Sequence, residues 1–294
     1  MGSILFAQGN SSVEVRNTLE RMGQVTPARG RFEFASEDPP GLAIQRFADE
    51  LIVTRQSDKV LAFHGTLAWA ASAPGYLQGA DREPASIFEA WGALGPEMIN
   101  HLACPFCFLL WDVGAHELWL ASHFSATKPL YFRTDKRLMV ASEIRQIARV
   151  SEDIRLRSDI RSTRFDLSLP AGETLFRGIE TVQPHKLIRF SLDTGRRKTH
   201  SFEDFLTCRG GTRVPRPRRR VAERTTQFGR LIDKAVTRLI RDRRTVSALS
   251  GGRDSTLVAS TASRVEQVAS SVLSGCYNIA HRGTAFDEQD VACN

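Results

Sequence analysis

Leu249-Ser-Gly-Gly-Arg-Asp-Ser-Thr256 is the stretch on which the reading of this chain turns. A short apolar run, Thr245 to Leu249, precedes it, and a helical pattern from Thr256 to about Val265 follows. A turn between a strand and a helix leaves backbone N–H groups unpaired at the helix start, and these attract phosphate oxygens. Gly251 and Gly252 permit backbone angles closed to other residues and let a phosphate approach closely. Ser250 and Ser255 add hydroxyl donors, and Asp254 is suited to hold the Mg²⁺ that neutralises the phosphates. No G-x-x-x-x-G-K-[ST] occurs in the chain, so the loop is not the one used for γ-phosphate transfer. A pyrophosphate-gripping loop without that lysine suits cleavage between the α- and β-phosphates. A plain turn with a capped helix would look similar, and the flanking strand and helix favour the phosphate reading.

Upstream of the loop, Phe228, Leu231, Ile232, Ala235 and Leu239 recur at helical spacing, with Arg230, Lys234, Arg238 and Arg241 between them. Downstream, Ser270 to Leu273 reads as another strand. Helix, strand, Gly-rich turn, helix, strand is the opening of a parallel α/β nucleotide-binding domain. Before it, Arg209 to Arg220 mixes glycine, proline and clustered arginine and reads as an exposed linker. The expected organisation is therefore a domain over 1–208, a basic linker over 209–224 and the nucleotide-binding portion over 225–294.

The first 200 residues have another texture. Short strand-like runs (Lys59 to Phe63, Phe106 to Trp111, Leu118 to Ser122, Leu130 to Arg133, Leu138 to Ala141, Lys186 to Ser191) are punctuated by turns such as Asp112-Val-Gly114. Helical patterns intervene at Val13 to Met22, Ala85 to Gly92 and Ser142 to Val150. This mixture predicts an α+β sandwich.

Composition narrows the function classes. The net charge of +7 is local: Arg209 to Arg244 holds thirteen basic and three acidic residues, net +10, which leaves about −3 for the remainder. That is not the spread-out footprint of a nucleic-acid-binding domain. No apolar run approaches the roughly 18 residues that span a membrane, and the N-terminus lacks the pattern of a secretory signal. A cytoplasmic protein is expected. Five cysteines, an odd number without regular spacing, argue against a disulfide framework. Cys104 and Cys107 form a C-x-x-C in what reads as a strand, where residues three apart point to opposite faces and cannot share a metal.

The loop at Leu249 to Thr256 resembles the pyrophosphatase loop of the asparagine synthetase family, and four further stretches resemble that family in its order. Phe106 to Asp112 is similar to its Phe-Ala-x-x-Trp-Asp strand, and His123 to Tyr131 to its segment ending Lys-Pro-Leu-Tyr. Val140 to Arg145 is similar to its Ala-Ser-Glu strand end, and Gly172 to Ile179 to the hairpin closing its N-terminal domain. The resemblance implies a glutaminase-like four-layer sandwich, two sheets between helices, followed by the start of an ATP-pyrophosphatase domain. It implies that Ser250, Gly251, Gly252 and Ser255 hold pyrophosphate, that Asp254 binds Mg²⁺, and that Leu249 and Ser274 line the adenine pocket. Asp287-Glu288 stands where the family often has an acidic pair, with surface charge an equal reading.

The chain also departs from the pattern. Gly2 follows Met1 where the family carries its nucleophilic cysteine, and no cysteine occurs before Cys104. The Asn-Gly-Glu that grips glutamine is replaced by His64-Gly65-Thr66. Without a thiol, acyl transfer from glutamine lacks its covalent route. The family's β-lactam synthetase and lasso-peptide cyclase branches dispense with glutamine, because the substrate's own amine attacks the adenylate. An ATP- and Mg²⁺-dependent amide ligase acting on a small-molecule or peptide carboxylate is thus expected, completed by a downstream segment, a split second half or a homodimer. The alternatives are an asparagine synthetase fed by ammonia, and a non-catalytic binding or scaffold protein. RNA contact through the arginine linker is the weakest reading.

Overall fold

The computed structural model describes residues 3–26, 30–36, 39–46, 51–70, 72–80, 83–123, 125, 127–157, 169–184, 186–201, 221–241, 244–266 and 272–278. Of the linker expected over 209–224, residues 209–220 lie outside them, as does the Asp287-Glu288 pair, and residues 221–224 are not linker but the first turn of a helix, Val221–Ile240. The chain divides into two compact units, Met1–Cys208 and Arg209–Asn294.

Alternation along one strand explains the first unit. In β6 (Phe106–Asp112), Phe106, Phe108 and Leu110 join one core cluster, while Cys107, Leu109 and Trp111 join another. A strand with apolar residues on both faces must lie between two layers. β6 pairs antiparallel with β5 (Lys59–Gly65) and β7 (Glu117–Ser122). β4 (Leu51–Gln56), β11 (Lys186–Ser191) and β12 (Arg197–Ser201) complete a six-stranded sheet in the order β12-β11-β7-β6-β5-β4. A second six-stranded antiparallel sheet runs β10-β8-β9-β1-β3-β2. Its strands are β1 (Ser3–Ala7), β2 (Arg31–Ser36), β3 (Gly41–Arg46), β8 (Tyr131–Arg133), β9 (Met139–Ala141) and β10 (Glu180–Thr181).

The two sheets face each other across Ile4, Phe6, Ile44, Leu109, Leu120 and Phe190. The outer face of the first sheet packs Phe63, Phe106 and Phe108 against α2 (Ala85–Leu94) and the 3-10 helix Gly95–His101. That of the second packs Leu5, Ala7 and Ala43 against α1 (Ser12–Gly23) and α3 (Ile144–Val150). Ser11 caps α1 by accepting from the Glu14 N–H, and Glu143 and Gln146 form a reciprocal capping box on α3. The α+β reading holds, with two antiparallel sheets at its centre.

One local expectation is corrected. Cys104 lies in the bend before β6 and not on a strand. It still falls in a different core layer from Cys107.

The second unit comprises α4 (Val221–Ile240), β13 (Arg244–Ala248), α5 (Arg253–Val265) and β14 (Val272–Tyr277). β13 and β14 pair in parallel, which requires a crossover, here α5. Val236 and Ile240 of α4 meet Ala262 and Val265 of α5 in one small core. The apolar stripe expected on α4 is only partly used. Ile232 contributes, but Phe228, Leu231 and Leu239 stay more than half exposed, because α5 packs against a neighbouring face of the helix.

Candidate functional site

Two regions bear on chemistry, one in each unit. In the second unit, β13 ends at Ala248 and α5 begins at Arg253, so Leu249 to Gly252 form the turn. Gly251 has φ of +80°, a left-handed angle that favours glycine. Gly252 does not need its glycine for conformation. It is the N-cap of α5 with an extended backbone (φ −71°, ψ 159°) that any residue adopts, so the expectation holds at Gly251 and not at Gly252.

The two serines hold the turn in shape. The Ser250 N–H donates to Ser255 Oγ (3.2 Å), the two hydroxyls lie 3.0 Å apart, and the Gly252 N–H donates to Ser250 Oγ (3.3 Å). Ser255 Oγ in turn donates to the Gly252 carbonyl (3.1 Å). The first-turn N–H groups of Arg253 and Asp254 have no acceptor among the described residues, as expected at a helix start. The hydroxyls are therefore chiefly struts, and the open donors are backbone. Asp254 is exposed beside them in the first turn.

Leu249 is tied to the end of the neighbouring strand: its N–H donates to the Tyr277 carbonyl (2.9 Å), and Asn278 Nδ2 donates to its carbonyl (2.8 Å). Ser274 does not join this group. It falls at a register shift in β14, where Leu273 pairs with Thr245 and Gly275 with Val246, near the start of β13 and away from the turn. The position that sequence reasoning missed is Asn278. Its Oδ1 is buried without a hydrogen-bond partner beside Leu249. A polar residue just past a predicted strand end was the available signal, but that strand was expected to stop at Leu273.

In the first unit, the ends of β5, β6 and β7 gather His64, Cys107 and Ser122, which are cross-strand neighbours. Gly65 permits a close approach there, since a Cβ would stand 2.5 Å from the Pro105 carbonyl. His64 is 4% exposed, with Nε2 3.1 Å from Lys128 Nζ. Lys128 is fixed through its carbonyl, which accepts from Ser122 Oγ (3.2 Å). His123, Ser125 and Thr127 form a hydrogen-bonded run along the same connection.

Burial pushes the Cys107 thiol up to about 12, the Lys128 charge only partly opposing it. At neutral pH it is a thiol and not a nucleophile. Cys104 is buried as well. Ser3 opens β1 with its Oγ fully buried and without a hydrogen-bond partner. Among the described residues no group of three or more His, Cys, Asp or Glu is placed to hold a metal, and no helix is long and apolar enough to cross a membrane.

Comparison with known proteins bears on the first unit. Residues 77–203 match the family model described as a glutamine amidotransferase domain. Two solved structures are among those similar to this chain. One is the allosteric regulatory enzyme of purine biosynthesis, at 14% identity and TM-score 0.41, covering 68% of this chain and 48% of that one. The other is glutamine phosphoribosylpyrophosphate amidotransferase from B. subtilis complexed with ADP and GMP, at 12% identity and TM-score 0.44, covering 96% and 67%. This chain thus spans about half the length of the first. No curated protein matches the chain. The matched stretch runs from Leu77 through α2, the 3-10 helix and β6 to the end of β12, so the first unit carries a glutamine amidotransferase-type domain.

Proposed function

We propose that the chain serves an ATP-dependent amide ligase of the asparagine synthetase kind, in which the amidotransferase-type unit no longer hydrolyses glutamine. The second unit binds Mg-ATP, and a carboxylate is activated as its adenylate with loss of pyrophosphate. An amine then attacks, in the substrate itself or as free ammonia. The observation that carries this reading is the strut-held turn between β13 and α5, which leaves the Arg253 and Asp254 N–H groups open at a helix start.

Each part has a physical role. Gly251 turns the chain, Ser250 and Ser255 fix the turn, and the open N–H groups face the β- and γ-phosphates. Asp254, exposed in the first turn, is the residue that would hold Mg²⁺, whose charge offsets that of the departing pyrophosphate. Leu249 presents an apolar edge for the base, and Asn278 takes the polar place first expected of Ser274. In the first unit, Thr66 supplies no carboxylate where a glutamine ammonium would be gripped, and Cys107 is held as a thiol in the core. An amine delivered within the substrate makes that loss harmless, since effective molarities of roughly 10⁵ M or more are reached by well-oriented intramolecular partners.

The test uses protein from its native cells. Its intact mass is measured, and AMP release is assayed across carboxylates with no glutamine present. A mass near twice 32.8 kDa with carboxylate-dependent AMP release is the expected result. A mass of 32.8 kDa and no AMP with any acid would overturn the ligase reading and leave a binding protein.

A further inference from the structure

Helix α4 carries two adjacent stripes of apolar side chains, and only one of them is used inside the second unit. Ile232, Val236 and Ile240, spaced four apart, pack against α5. Phe228, Leu231, Ala235 and Leu239 recur at spacings of three and four along the neighbouring face. All four are exposed, the three large ones at 55%, 59% and 58%. This second stripe is about 16 Å long.

The charges of the helix are segregated. Asp233, one of its two acids, is drawn to the α5 side, where Arg264 engages both carboxylate oxygens. The other acid, Glu223, lies in the first turn, ahead of the stripe. Exposed cations follow the stripe itself. Arg224 is one turn before Phe228, and Lys234 and Arg238, one turn apart, succeed Leu231 on the same side. In sequence, the twelve residues before the helix, 209–220, add six arginines and no acid. A protein layer over this stripe would have to desolvate the cations at its edge or meet them with acids of its own. A negatively charged lipid surface suits both features at once. Apolar side chains enter the acyl boundary while lysine and arginine stems extend to the phosphates.

We infer that α4 docks on an anionic lipid surface, with Phe228, Leu231 and Leu239 at the acyl boundary and Arg224 and Lys234 on lipid phosphates. The inference is independent of the ligase reading, because it uses a face of α4 and not the turn between β13 and α5. RNA would engage the cations and leave the apolar stripe unused. A second copy of the chain would set like charges against each other.

The experiment is co-sedimentation of the full chain, without nucleotide, with vesicles of phosphatidylcholine alone or mixed with phosphatidylserine. Saturable binding is expected to the mixed vesicles only, and it should weaken as salt rises. Exchange of all three large apolar residues (Phe228→Gln, Leu231→Gln, Leu239→Gln) should abolish it. The circular dichroism spectrum should stay unchanged, since none of the three belongs to the core cluster. Arg224→Gln with Lys234→Gln should weaken binding about thirtyfold, at about 1 kcal/mol for each cation near the surface. No sedimentation with mixed vesicles would overturn the inference, as would equal binding to neutral ones. So would lipid binding that survives the apolar exchange, which would rest on arginine charge alone, as RNA contact does. A concentration-dependent dimer in sedimentation equilibrium, lost in the triple variant, would show instead that a second copy covers the stripe.

Discussion

Phe108 and Leu239 are both large apolar side chains on regular elements, yet Phe108 is fully buried and Leu239 is 58% exposed. The difference lies in the layers around them. In the first unit each sheet is covered on both faces, by the other sheet inside and by helices outside, and three core clusters result. In the second unit α4 and α5 pack together over one face of a two-stranded parallel sheet and form one small cluster. Ser247 on β13 is buried beneath them, but its neighbour Val246, on the other face, is 56% exposed. Parallel strands ordinarily have both faces covered. The first unit thus closes its cores on both faces of each sheet, while in the second Phe228, Leu231, Leu239 and Val246 stay more than half exposed.

The largest expected contrast is in thiol chemistry. With its thiol pushed up to about 12, Cys107 should be inert to iodoacetamide at pH 7, whereas the exposed Cys276 should react readily. Peptide mass mapping of briefly alkylated protein checks this. Labelling of Cys107 at a rate near that of Cys276 would show that the first unit opens far more easily than its packing implies.

Side-chain truncation comes next. All four tryptophans, Trp69, Trp91, Trp111 and Trp119, lie in the first unit, so their fluorescence follows its unfolding alone. Phe108→Ala should destabilise that transition by about 3–5 kcal/mol, the usual range for a fully buried Phe. Leu239→Ala, followed by circular dichroism of the second unit, should fall within about 0.5 kcal/mol of wild type. A cost of several kcal/mol at Leu239 would mean that another layer already covers it.

A smaller effect is expected from acid. Asp135 and Asp153 have their carboxyls lowered by Arg133, below the roughly 3.9 of an unfolded aspartate. Their contribution is therefore complete above about pH 4 and is lost as pH falls through the lower folded values. Urea unfolding at pH 6 and pH 3 should show this loss, reduced in Asp153→Asn. The counterpart in the second unit, Arg264 with Asp233, shifts in the same direction, but Asp233→Asn should change little because exposed pairs contribute little.

The first unit was legible wherever alternation or helical periodicity was strong. Phe106 to Trp111, Leu118 to Ser122, and the patterns at Val13 and Ala85 all correspond to observed elements. β12, Arg-Lys-Thr-His-Ser, was not legible, because an edge strand with four of five side chains exposed carries no apolar signal. β2 was hidden likewise, for its six residues are only partly buried or exposed. In the candidate site the turn at Gly251 and the strand before it were readable from local residue types. The place of Ser274 was not, since a register shift inside β14 leaves no trace in the sequence. The pairing of Ser250 with Ser255 as struts also depends on the turn's three-dimensional path.

The most direct test of the ligase account is a titration of ¹⁵N-labelled protein with Mg-pyrophosphate, read at the amides of Gly251, Gly252, Arg253 and Asp254. The account predicts saturable, Mg²⁺-dependent shifts centred on Arg253 and Asp254, lost in the Ser250→Ala, Ser255→Ala double variant. Unmoved amides at millimolar Mg-pyrophosphate would mean that the turn is an ordinary helix start, and would contradict nucleotide binding by this unit.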